Sequence, residues 1–268
     1  MNEVTENVLG NVTENGGNIS GVINGAGWEV LTTKDHFESL KDIHNDSKGT
    51  RHQPVQHWDC VNRFCDVIAK SGIGIRQYNG MLSPNKQKFI FTASMTDSRL
   101  PDMEFNIGFI SFNDKSRALT CFSGTKVFCC SNEVIRCNGG VEKHKHLKNI
   151  DGKIEALFSS GIEDFWQYRD NRLAMIEREK QIEVDDRMFA DIILDMHKSK
   201  VFGKDPAFIG KVVNEFVAPV PRHEEFGSKS TLWGLENAMT EMYKSYNPIS
   251  NIKQFEEFER IITPHLER

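Results

Sequence analysis

Near residue 150 the spacing of apolar residues changes from two to between three and four, and that change narrows the folds open to the chain. In 86–96, Phe89, Phe91, Ala93 and Met95 alternate with Lys88, Ile90, Thr92 and Ser94. In 104–112, Phe105, Ile107 and Phe109 alternate with Asn106, Gly108 and Ile110. A period of two sends successive side chains to opposite faces of a strand. Asn113-Asp114-Lys115-Ser116 has turn chemistry, and RALTCFS (117–123) returns as the next strand. Gly124 is expected to break it, with Lys126 to Asn132 as a further extended piece. These segments make an antiparallel β-meander of roughly four strands with short connections.

Two short helices precede the meander. One is expected at 34–45, with Phe37, Leu40 and Ile43 at helical spacing and Thr32 or Thr33 as its cap. The other, at 58–70, places Val61, Phe64, Cys65 and Ile68 on one face, with Gly72 just past its end. After Asp151 the pattern is helical throughout. Ile154, Leu157, Phe158, Gly161, Phe165 and Tyr168 recur every three or four residues, as do Met188, Ile192 and Met196. Asp205-Pro206 starts another helix. Residues 218–230 form a loop whose Ser230 caps the helix of Leu232, Leu235, Met239 and Met242, and a last short helix holds Ile252, Phe255, Phe258 and Ile262. The expected fold class is therefore α+β: an antiparallel β-meander preceded by two short helices and followed by a helical half packed on the sheet. Residues 1–27, rich in Asn, Gly, Thr and Glu, are expected to be a disordered arm. Residues 28–150 hold the first helices and the meander, and 151–268 the helical half of the same domain.

With 268 residues and 38% hydrophobic content the chain can bury a full core. No apolar run approaches the ~18 residues of a membrane helix. The first residues lack the basic start and apolar core of a signal peptide. Six cysteines are too few for a disulfide scaffold in a chain this long. Together these features point to a cytoplasm, that of a bacterial host.

Charge is unevenly spread: residues 51–150 carry a net +6 between flanks of −5 and −6, although the whole chain is −5. Anionic ligands respond to local charge, so the middle third is where one would bind.

Catalytic patterns are not found. Cys129, Cys130, Cys137, His144 and His146 lie close in sequence, but no Cys-x-x-Cys pair is present, and Cys129 and Cys130 on a strand would point to opposite faces. The three cysteines are expected to be structural thiols and not zinc ligands, with no metal and no cofactor. Gly72-Ile-Gly74 lacks the lysine and third glycine of a phosphate loop, and the paired acids Asp185-Asp186 and Glu224-Glu225 suit caps and loops. The enzyme question stays open, with a non-enzyme favoured.

The positive signal is in the meander. Lys86, Lys88, Arg99, Lys115, Arg117, Lys126 and Arg136 are interleaved with Tyr78, Phe89, Phe91, Phe105, Phe109, Phe112 and Phe122. Single-strand binders combine cations along the phosphate track with rings for unstacked bases. Most of these Phe are expected in the core, so the cations are the more informative half. On the late helix, Trp233 and Asn237 share a stripe with Thr240. That stripe either faces a ligand, with Trp233 stacking on a base, or is structural, with Trp233 buried and Asn237 bonded to a loop backbone. Tyr78 carries the same pair of readings.

Phe105 to Cys137 resembles the central block of the phage/plasmid-like proteins of prophages and mobile elements. Ser111-Phe112-Asn113-Asp114 stands at that block's turn, and Val127-Phe128-Cys129-Cys130-Ser131-Asn132 at its Phe-x-x-Val-Cys-x-Asn landmark. Leu232 to Thr240 is similar to the family's late Trp-containing helix. The resemblance covers roughly 55–245, although this turn lacks the family's usual glycine. It implies distant kinship with phage single-strand annealing proteins and brings no functional residues with it. The expected function is thus single-stranded DNA binding, as an annealing or replication/recombination accessory factor. The alternative is an interaction factor that acts on a host protein, as a defence inhibitor or transcription regulator. Single-stranded nucleic acid is the expected partner, no membrane is, and a homo-oligomer is compatible with either reading.

Overall fold

A computed structural model describes residues 27–45, 53–98, 100–127, 132–136, 143–144, 150–201, 206–219, 230–243 and 248–266. The arm expected at 1–27 lies outside them except for Gly27, as do Arg99, Cys129, Cys130, Cys137 and His146.

The strands are β1 (Glu29–Leu31), β2 (Gln77–Leu82), β3 (Lys88–Asp97), β4 (Leu100–Phe112), β5 (Leu119–Val127), β6 (Asn132–Arg136) and β7 (Lys143–His144). They form one sheet in sequence order from β1 to β6, with β7 paired to β5. The helices are α1 (Lys34–Glu38), continued by a 3-10 turn at Ser39–Asp42, α2 (His57–Ser71), α3 (Ile154–Gln181), α4 (Asp186–Lys198), α5 (Pro206–Val217), α6 (Leu232–Tyr243) and α7 (Pro248–Leu266). The architecture is α+β, an antiparallel meander followed by helices. Among the described residues, no helix is long and apolar enough to cross a membrane.

The local causes are visible in the ends of the elements. Thr33 caps α1 by accepting from the His36 N–H, and Asp185 caps α4 by accepting from the Met188 N–H at 2.7 Å. Gly72 ends α2 at φ 73°, where a side chain would clash with its own backbone. The cap of α6 is Thr231 rather than Ser230: the Gly234 N–H donates to Thr231 Oγ1 at 3.2 Å, while the Ser230 carbonyl accepts from the Val184 N–H. Gly124 does not break β5, which runs on to Val127, and α7 is 19 residues long rather than short. β1, β2 and β7 are strands beyond the expected meander.

The chain divides into two compact units, each assembled from separate stretches. The first comprises Met1–Thr96, Phe105–Ser123 and Asn138–Gln167; the second comprises Asp97–Glu104, Gly124–Cys137 and Tyr168–Arg268. The division passes through the end of β3 and through β4, β5 and α3.

The core of the first unit is aromatic. Phe64 of α2 meets Phe91, Phe109 and Phe158 edge-on at 5.1–5.7 Å, and Phe109 stacks on Phe91 at 5.4 Å. Such ring pairs contribute about 0.5–1.5 kcal/mol each beyond the area they bury. The face opposite these rings is buried too. It carries Ile90, Thr92, Ser94, Asn106, Ile110 and Phe122, so the polar half of the alternation is not a solvated face. Cys60, Cys65 and Cys121 are buried. Burial pushes the Cys60 thiol up to about 12 and raises Cys65 as well, so neither is a thiolate nucleophile near neutral pH.

The second unit is held by Ile192, Met196, Val212, Leu235, Met239, Phe258 and Ile262 of α4 to α7. Phe189 and Phe216 lie face to face with centroids 4.8 Å apart.

Candidate nucleic-acid interface

Four of the seven cations picked out from the sequence lie in two neighbouring turns of the first unit. The β2–β3 turn is built by its own short polar side chains. The Ser83 hydroxyl donates to Asn85 Oδ1 at 2.7 Å and accepts from the Lys88 N–H at 3.0 Å, and Asn85 Oδ1 also accepts from the Gln87 N–H. This geometry leaves Lys86 at φ 55° with its side chain exposed. In the β4–β5 turn, Asp114 Oδ1 accepts from the N–H and the hydroxyl of Ser116 at 3.0 and 2.5 Å. Lys115 follows at φ 70°, also exposed, and Arg117 is half-buried.

The two turns are tied together. The Asn113 N–H donates to the Gln87 carbonyl at 2.8 Å. The buried Asn113 amide accepts from the Val55 N–H at 3.1 Å and donates to the Val55 carbonyl at 2.9 Å. Buried His57, the first residue of α2, places Nε2 3.1 Å from the Lys86 carbonyl oxygen. Lys88 Nζ lies 3.2 Å from Asp114 Oδ2 and 5.5 Å from the centre of the Phe112 ring. Partial burial alone would raise the Asp114 pKa, but the Ser116 hydrogen bonds and the Lys88 ammonium outweigh it and hold the carboxyl below its ordinary value. One end of the sheet therefore presents lysines on backbone that is fixed from beneath.

Lys126 is at the far end of β5 and Arg136 ends β6, where the backbone alone is described, and Arg99 is outside the described residues. The rings are not available to bases. Phe89, Phe91, Phe105, Phe109, Phe112 and Phe122 are fully buried, and Tyr78, 5% exposed, stacks on Phe91. Trp233 is 3% exposed, with the Arg172 guanidinium 5.7 Å from its ring centre. The stacking role weighed for Tyr78 and Trp233 has no exposed ring face to act through. Asn237 donates to the Trp233 carbonyl at 2.8 Å, so its partner is its own helix and not a loop.

Two features carry no sequence signal strong enough to single them out. His57 and Asn113 position the turns from the core side, and only the Asn113 turn had a sequence signal. In the second unit, a buried ion cluster is new: Arg172 donates to Glu179 at 2.9 Å and to Glu236 at 2.5 Å. Burial alone would lower the Arg172 pKa, but the two carboxylates raise it. Compared with protein-family models, with curated proteins and with solved structures, the chain matches none of them.

Proposed function

We propose that the chain binds single-stranded nucleic acid, DNA being the expected strand, through its backbone phosphates, and serves strand annealing or replication and recombination as an accessory factor. One observation carries this reading: Lys86 and Lys115 both occupy positive-φ backbone, at 55° and 70°, in two turns bonded to each other. Left-handed backbone costs a residue with a Cβ roughly 1–2 kcal/mol, and glycine adopts it freely. Long cations stand there instead, and cations at fixed spacing are what a phosphate track requires. Because the rings are in the core, affinity on this reading is electrostatic, with little stacking. Kinship with the phage/plasmid-like family, for which the comparisons supply no match, is part of the same proposal.

The test exploits the backbone. Lys86→Gly with Lys115→Gly removes two cations at positions glycine prefers, so the fold is expected to be as stable as the parent or slightly more so. Fluorescence anisotropy with a labelled oligothymidylate should show weaker binding by the double variant. Its log–log salt slope should be shallower by about 0.7 for each lysine lost. A parent that binds no single strand at low salt, or a double variant with the parent's affinity and slope, refutes the reading.

A second reading, an interaction factor for a host protein, is favoured by Val217. This side chain is 68% exposed at the end of α5, beside a hollow lined by Lys211, Asn214, Ala218 and Met242. It is the reading to adopt if the parent fails to bind single strands.

A further inference from the structure

We infer that Asp114 is a built-in counter-anion of the lysine turns, which competes with a strand phosphate for Lys88 and sets how tightly the strand is held. The inference rests on the nucleic-acid reading above and concerns the regulation of that same site.

Asp114 uses its two oxygens differently. Oδ1 is fixed by the Ser116 N–H and hydroxyl, and Oδ2 faces Lys88 Nζ at 3.2 Å. The carboxylate is thus placed by its own turn and stays in position whether or not Lys88 remains beside it. Lys88 is placed independently, from the first position of β3, with its ammonium 5.5 Å from the centre of the Phe112 ring. Both side chains keep partial access to solvent, 28% for Lys88 and 20% for Asp114, so an anion arriving from solvent can reach the ammonium. To do so it must draw Lys88 away from a carboxylate that is partly buried and held by Ser116, and it meets that carboxylate's negative charge throughout. Among the cations of the two turns, Lys88 is therefore muted while its neighbours Lys86 and Lys115 are exposed.

Asp114→Asn separates charge from shape. The amide oxygen can still accept from the Ser116 N–H, so the turn is kept while the counter-charge is removed. With a labelled oligothymidylate, Asp114→Asn should bind about two- to fivefold more tightly than the parent, the scale of a partly exposed ion pair. Its salt slope should steepen by about 0.7 as one more phosphate contact forms. Lys88→Gln alone should weaken binding, because it leaves the Asp114 charge uncompensated beside the strand. Added to Asp114→Asn it should cancel the gain, because the cation that change releases is gone. If the parent binds but Asp114→Asn does not gain, or if Asp114→Asn gains as much with Lys88→Gln as without it, the counter-anion role is overturned and the interface stands. If neither parent nor Asp114→Asn binds, the interface falls with it.

Discussion

Arg172 illustrates how much a single buried charge can demand of its surroundings. It and its two acceptors, Glu179 and Glu236, are 2%, 0% and 2% exposed. Transferring such groups from water costs several kcal/mol per ion, and only mutual pairing offsets it. Arg172→Met would leave two carboxyls buried without their cation, and should destabilise the chain by about 3–5 kcal/mol in urea unfolding. Changing Glu179 and Glu236 to Leu as well should recover most of that loss, because the penalty comes from the unpaired charges and not from the absence of an ion pair. A cost below about 1 kcal/mol for Arg172→Met, the range of a surface pair, would show that the guanidinium does not hold these acids. The cluster was not legible in the sequence. Arg172 and Glu179 are seven residues apart on a charged helix, Glu236 comes from another element, and nothing in their spacing separates them from solvated neighbours. Lys86, Lys88, Lys115 and Arg117 were legible because turn chemistry places side chains at an edge. What the sequence could not supply was that Asn113 and His57 bring the two turns together.

The helical elements were legible in outline because a 3.6-residue period survives in each of them, and α3 shows where the outline needs a residue read with care. Gly161 falls in its apolar stripe between Phe158 and Phe165, where a side chain would be expected. A Cβ there would lie 2.7 Å from Cys121 Cβ and 2.8 Å from its sulfur, so the helix approaches β5 closely because the side chain is missing. Alanine gains about 1 kcal/mol of helix propensity over glycine, yet Gly161→Ala should cost roughly 1–3 kcal/mol net through overpacking. Gly74→Ala, where a Cβ would meet nothing within 4 Å, is the control and should be close to neutral in the same denaturation series. A stabilised Gly161→Ala would mean that propensity and not contact decides. The strands were harder to read. β2 buries Tyr78, Gly80 and Leu82 in alternation, but glycine and asparagine weaken the signal of a strand. β5 continues past Gly124 because pairing, which no local sequence encodes, overrides the glycine.

At the scale of the whole molecule, the change of period near residue 150 marks a change of element type but not a boundary between folding units. The second unit takes Asp97–Glu104 and Gly124–Cys137 from the strand region in addition to Tyr168–Arg268. The contributions are not peripheral: Met103 and Glu104 are 3% and 2% exposed, and β6 packs with α6 and α7. The helical residues alone thus lack part of what covers their apolar faces, and an amphipathic helix gains most of its stability from that cover rather than from propensity. Residues 151–268 expressed alone should therefore fail to unfold cooperatively on heating, and should give poorly dispersed amide resonances, while the full chain melts in a defined transition. The contrary outcome would be a fragment with dispersed resonances and a sharp melt. That would make the helical half a self-sufficient unit, and the strands that enter it would be additions to a finished core instead of part of it.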